Sequence, residues 1–127
     1  MNADQRRLNE ITEKIIGGCY RVANELGAGF LEKVYENALA HDLKKAGLPV
    51  EQQKQVQVYY DGVIVGEYLA DLLVDGAVIV ELKAAKHLDD IHVAQCLNYL
   101  RGADLRVGLL VNFGTPKIEI RRIVNRF

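Results

Sequence analysis

Serine is absent from this chain of 127 residues, and neither of its two cysteines, Cys19 and Cys96, has a local base motif or metal-ligand spacing. Hydrolysis through a serine or cysteine nucleophile is therefore unsupported, and so is a thiolate metal site. Both cysteines lie in apolar helical stretches, where a free thiol reads as buried and inert; a reducing, cytoplasmic setting fits. No apolar run approaches membrane-spanning length, and no apolar segment follows the polar start, residues 1–7, as a secretory signal would require. Repeats, low-complexity tracts and linkers are also missing, so residues 1–127 read as a single domain. A strong net charge is lacking too: the value of −1 does not advertise nucleic-acid binding. The basic residues do gather towards the end, as Arg101, Arg106, Lys117, Arg121, Arg122 and Arg126, against Asp104 and Glu119. That edge can track a phosphate backbone or simply be a solvated face.

Half of the residues are hydrophobic, enough for a real core, and their spacing sets the elements. Leu8, Ile11, Ile15, Cys19, Val22 and Leu26 recur at helical intervals and predict a first helix over about 4–26, closed by Gly27-Ala28-Gly29. A second helix runs from about Phe30 to Ala46, ahead of Gly47 and Pro49. The period then changes to two at Gln55–Tyr60, a half-exposed strand. Asp61-Gly62 turns into a long strand, Val63–Val74, with Gly66 a candidate bulge. Asp75-Gly76 turns into Ala77–Ala84, a Val/Ile-rich strand expected at the centre of a sheet. A helix from Asp89-Asp90 to about Arg101 is apolar nearly all round and is expected to be well buried. Strands follow at Arg106–Phe113 and Lys117–Val124, the last at an edge. The order ααβββαββ indicates an α/β sandwich with a mixed sheet.

Charged residues stand where the central strands call for apolar ones. Asp71 lies on one strand and Glu81-Leu82-Lys83 on the next. A carboxylate pair suits a hard divalent cation such as Mg²⁺, and a fixed positive charge beside it suits a phosphodiester undergoing hydrolysis. Glu81 and Lys83 are two apart and share a face. Asp71 joins them only if the Asp75-Gly76 turn is a three-residue loop with Gly76 left-handed, or carries one bulge; a two-residue loop sets Asp71 against Val80, on the wrong face. We expect the first arrangement. The competing reading is an ordinary strand-end salt bridge, weakened by the cost of burying unpaired charges on a strand covered on both sides. On the second helix, at roughly 100° per residue, Glu32 falls inside the Leu39/Leu43 stripe and should face the body of the protein, with Lys33 and Glu36 towards solvent. Gln95 shares a face with Leu88, Ile91 and Tyr99 on the third helix; it reads as a capped core amide or as a partner of Lys83, a water or a substrate phosphate.

These residues resemble the short bacterial GxxExxY proteins of the PD-(D/E)XK nuclease superfamily. The naming motif matches as Gly29, Glu32 and Tyr35, and the nuclease signature as Asp71 with Glu81, Leu82 and Lys83. Gln95 through Tyr99 is similar to the Q-x-x-x-Y helix motif of RecB-like nucleases, and Leu109 through Gly114 resembles the family's late strand. The similarity runs from about Leu8 to Val124. Ala23 and Ala28 depart from the pattern, where histidine and proline are frequent. The resemblance implies a restriction-endonuclease-like αβββαβ core with a mixed β-sheet flanked by helices, Mg²⁺ or Mn²⁺ dependence, and phosphodiester hydrolysis. It implies Asp71, Glu81 and the Leu82 carbonyl as metal ligands and Lys83 as the residue that orients or activates water. Glu32 would be an auxiliary acid that ligates directly or through water, and Gln95 would position substrate or water.

The expected function is a metal-dependent nuclease acting on DNA ahead of RNA. A small, near-neutral domain offers little substrate-binding surface, which points to a homodimer or a partner protein. The second reading is a nuclease fold kept as a nucleic-acid or protein interaction module. An intact Asp/Glu/Lys set argues against it, because an unused buried charge cluster destabilises a fold.

Overall fold

A computed structural model describes residues 2–126 of the chain. Helix α1 (Ala3–Leu26) starts at a capping box: Asn2 Oδ1 accepts from Gln5 N–H at 2.8 Å, and Gln5 Oε1 accepts from Asn2 N–H at 3.2 Å. Its stripe Leu8, Ile11, Ile15, Cys19 and Val22 is buried. Helix α2 (Glu32–Lys45) packs closely on it at Gly18, where a Cβ would lie 3.0 Å from Asp42 Oδ2 and 3.1 Å from Leu43 Cδ2. Five strands follow: β1 (Val50–Tyr60), β2 (Val63–Val74), β3 (Val78–Lys83), β4 (Val107–Asn112) and β5 (Glu119–Val124). They form one sheet in sequence order. Only β3 and β4 are parallel, joined by helix α3 (Asp90–Ala103), and the other pairs are antiparallel.

The elements therefore come in the predicted order and build the mixed, helix-flanked α/β sheet of a restriction-endonuclease-like fold. Two hydrophobic layers hold it together. Leu72, Val74, Val78, Val80, Leu82, Leu109 and Val111 face α1 and α2. Val56, Ala70, Ile79 and Leu110 face α3, where Cys96 and Leu100 meet them. Helix α3 lies close to the sheet because β4 offers Gly108 beneath it, where a Cβ would come within 3.1 Å of Cys96 Sγ. The expectation of a well-buried α3 is wrong. Only Cys96 and Leu100 are buried, and Ile91 is 59% exposed. Among the described residues no further layer covers the apolar residues on its outer side. Strand β1 also begins earlier than its alternation suggests, and beyond their pairing with β3 the β1–β2 strands run on as an arm exposing Tyr59, Tyr60, Val63 and Val65. The irregularity expected near Gly66 is present: the register shifts between Val58 and Tyr59, across from Gly66 and Ile64.

Strand β2 changes face midway. Leu72 belongs to the layer under α1 and α2 and Ala70 to the layer under α3, whereas regular alternation would put residues two apart on the same side. The switch falls at Asp71. Across from it, between the pairs Gln52↔Leu72 and Lys54↔Ala70, Gln53 adopts a left-handed φ of 52°.

The carboxyl ends of β3 and β4 are tied by Asn112, which is fully buried. Its Oδ1 accepts from the Ala85 and Gly114 N–H groups, each at 3.0 Å, and its Nδ2 donates to Ala85 O and Glu119 Oε1, each at 3.0 Å. A Cβ on Gly114 would collide with the Ala85 backbone, so the knot needs glycine there. Asn112→Ala strips two partly buried N–H groups of their acceptor, unties Ala85 O and Glu119, and is expected to cost ~2–4 kcal/mol in urea unfolding. A loss below ~0.5 kcal/mol would contradict this account of the strand ends.

Candidate active site

The turn between β2 and β3 decides which side chains meet. Val74 pairs with Val78, leaving Asp75, Gly76 and Ala77 as a three-residue loop in which Asp75 (φ 53°) and Gly76 (φ 63°) are both left-handed. Pairing continues through Leu73↔Ile79 to Leu72↔Val80, which sets Asp71 across from Glu81, as the longer-loop expectation requires. The ladder then stops. The Leu82 N–H that would continue it donates instead to Asp71 Oδ2 at 2.8 Å. The N–H and C=O of one strand residue point to the same side, so the Leu82 carbonyl also faces the edge where Asp71 lies.

Glu81 is buried, at 7% exposure. Burial first, and the Asp71 charge second, push its carboxyl from 4.5 up to about 8, against the pull of Lys83. Its Oε1 has no hydrogen-bond partner. An orphaned carboxylate oxygen beside a second carboxylate is a costly arrangement unless something positive completes it. Among the described residues no three His, Cys, Asp or Glu side chains form a metal-binding group. The protein therefore offers two carboxylates and one backbone carbonyl. This set fits Mg²⁺ or Mn²⁺, since Mg²⁺ usually keeps several waters and takes one or two carboxylates together with substrate phosphate. Lys83, partly buried at the end of β3, shares the face of Glu81 and is anchored through its backbone by the Phe113 N–H to Lys83 O bond of 2.9 Å.

Asp71 and Leu82 also line a cleft of ≈ 720 Å³ with Gly29, Glu32, Glu36 and Gln53. Here the helical-wheel reading of α2 is corrected. Glu32 is exposed on the cleft wall, while Glu36, expected in solvent, is 4% exposed. The buried face of α2 is Tyr35, Glu36, Leu39, Ala40 and Leu43; Glu32, the first residue of the helix, projects past the core that this face covers. Glu36 accepts from Lys33 Nζ at 2.9 Å, Gln52 Nε2 at 2.7 Å and Gln53 Nε2 at 2.6 Å. Gln53 Nε2 also lies 3.4 Å from Asp71 Oδ1, so a chain of polar contacts links α2 to the carboxylate pair. Tyr35 is structural: its hydroxyl donates to Gly27 O at 2.6 Å and accepts from Phe30 N–H at 3.2 Å, and its ring stacks on Phe113. With Gly29 at φ 112°, it shapes the loop that carries Glu32. Gln95 is exposed, which removes the core-amide reading; the seat of α3 is set by Cys96 and Leu100 beside it. The histidines form no second metal site among the described residues: His87 pairs with Asp89 at 2.9 Å and His92 closes the start of α3.

Glu36 and Gln53 escaped the sequence reading. A phase for α2 taken from Tyr35 rather than from the leucines alone would have found Glu36. The left-handed turn at Gln53 has no signal in the sequence.

The model of the PD-(D/E)XK nuclease superfamily matches residues 9–123. The chain belongs to that superfamily. Its members are generally nucleases, and they typically use divalent metals. No curated protein matches this PD-(D/E)XK chain. Among solved structures, the crystal structure of SSO0001 is similar to it, with 18% identity and a TM-score of 0.58, over 76% of this chain and 51% of that one. At that identity the likeness concerns the fold alone, and this chain spans about half the length of that protein. No helix of the described residues is long and apolar enough to cross a membrane.

A pH dependence follows from the raised Glu81 value. Between its ordinary 4.5 and about 8 the folded chain keeps a proton that the unfolded chain has lost, so the folded state loses stability as pH rises through this window and levels off above it. Without divalent metal, Glu81→Gln is expected to match the wild type near pH 4.5 and to exceed it by up to ~5 kcal/mol at pH 9. Parallel unfolding profiles for the two proteins in EDTA would refute the assignment.

Proposed function

We propose that this chain is a metal-dependent nuclease that hydrolyses phosphodiester bonds, in DNA first and RNA second, at Asp71, Glu81 and Lys83. The observation that carries the reading is the three-residue turn, which sets Asp71 across from the buried, coordinatively incomplete Glu81, with Lys83 on the same face. Asp71, Glu81 and the Leu82 carbonyl would hold Mg²⁺ or Mn²⁺, which supplies charge stabilisation and an acidified water when bound. The Leu82 N–H fixes the Asp71 carboxylate by occupying one of its oxygens. Lys83 places a positive charge where negative charge develops on the phosphoryl oxygens and orients the attacking water. Glu32, on the cleft wall, acts as the auxiliary acid, and Gln95, on the open side of α3, contacts substrate.

The finer placement among GxxExxY proteins rests on Gly29, Glu32 and Tyr35, two of which build the loop that presents the third. Arg121 and Arg122, exposed on the edge strand β5, supply phosphate contacts. A single small domain of net charge −1 has little surface for a long substrate, so the active form is a homodimer or a complex with a partner protein. Two free thiols, both pushed by burial up to about 12, suit a cytoplasmic location.

The test is a panel of labelled single-stranded, double-stranded and branched DNA and RNA with Mn²⁺. Wild type is expected to cut at least one substrate, with Lys83→Ala and Asp71→Ala at least ~10²-fold slower. Cleavage that survives Lys83→Ala would overturn the assignment. No Mn²⁺ binding by calorimetry, together with unchanged stability in Asp71→Ala, would favour the interaction module.

A further inference from the structure

Among the described residues, two buried side-chain polar atoms have no hydrogen-bond partner, Glu81 Oε1 and Tyr68 Oη. They lie on the same side of the sheet. Tyr68 packs into the layer under α3 with Leu73 and Tyr99, and Glu81 is two residues from Ile79 of that same layer on the adjoining strand. The Tyr68 ring is fixed by a stack on Tyr99, with centroids 3.6 Å apart and planes 20° from parallel. For filling that space phenylalanine would serve as well, without burying a hydroxyl. A buried donor and a buried acceptor, both unpaired, on one side of the sheet and near enough for the charge of one to act on the other, call for a bridging group, and a site with two polar partners meets the minimum for an ordered water.

We propose that Tyr68 is a positioning residue of the site: its hydroxyl and Glu81 Oε1 share one buried water, and this bridge locks the Glu81 carboxylate in the orientation that ligates the cation. Burial first, and the nearby Glu81 charge second, push the Tyr68 hydroxyl well above its ordinary range. It therefore stays protonated and acts as the donor. The other groups that act on it, Tyr99 and Cys96, are neutral at working pH and offer no competing anion. Partners of this kind, one step behind a metal ligand, typically set affinity by about 10–100-fold.

The inference rests on the metal-site reading above. Tyr68→Phe keeps the ring stack and removes only the hydroxyl. Calorimetric Mn²⁺ affinity is expected to fall about 10–100-fold, while thermal unfolding in EDTA stays at or above the wild-type midpoint. At saturating Mn²⁺ the substrate KM should be unchanged. Wild-type binding with Tyr68→Phe affinity within about twofold would overturn the role of Tyr68 alone; no Mn²⁺ binding by wild type would overturn the metal site and this inference together. If the variant does not fold, a high-resolution crystal structure of wild type decides: a water within hydrogen-bond distance of both Tyr68 Oη and Glu81 Oε1 is expected, and its absence refutes the bridge.

Discussion

The hydrogen bond from the Leu82 N–H to the Asp71 carboxylate is the contact on which the site depends. It occurs because β2 leaves the ladder and switches face at one residue, so that a side chain takes the place of a strand partner. The same departure frees a carbonyl edge and brings the half-buried Asp71 carboxylate at the cleft across from the buried Glu81. The stress falls on Glu81, which holds its proton to about pH 8. A chain whose only concern was stability would place an aliphatic residue there.

Around this contact the fold supplies restraint from several directions. The Glu36–Gln53 link fastens α2 to the bent part of β1. The Asn112 knot closes the ends of β3 and β4 just past Lys83. The stacked Tyr35 and Phe113 rings join the Gly27–Gly29 loop to the segment after β4. The first two hold a polar or charged group by bonds to backbone or amide and the third by ring packing, the kind of support that keeps functional side chains within a narrow range of positions.

Much of this could be read before any coordinates. Periodicity gave all eight elements in order, because their apolar stripes are long and turn residues such as Gly27, Gly47, Pro49, Gly62, Gly76, Gly114 and Pro116 fall between them. The Asp71/Glu81/Lys83 arrangement was legible as a condition on turn length, since strand geometry converts residue count into facing. What could not be read depends on tertiary context. Glu32 and Glu36 exchanged places because the helix stripe is phased by where the core ends. Gln95 lies outside because no element of the described residues covers the outer side of α3. Gln53 is left-handed where its side-chain amide reaches two carboxylates, Glu36 and Asp71, that are distant in sequence. Tyr68 looked like one more strand aromatic, since nothing in the chain signals that its hydroxyl lacks a partner.

Gly108 has an effect well beyond its own strand. By letting Cys96 approach β4 closely, it sets the height of α3 above the sheet, and Tyr99 rides on that helix. The Tyr68–Tyr99 stack therefore inherits its clearance from a position on β4, two strands from β2. A methyl group there would act as a shim, tilting the aromatic wall beside Glu81 without touching an ionisable group. Core packing on the far strand thus helps to calibrate the chemistry at the centre.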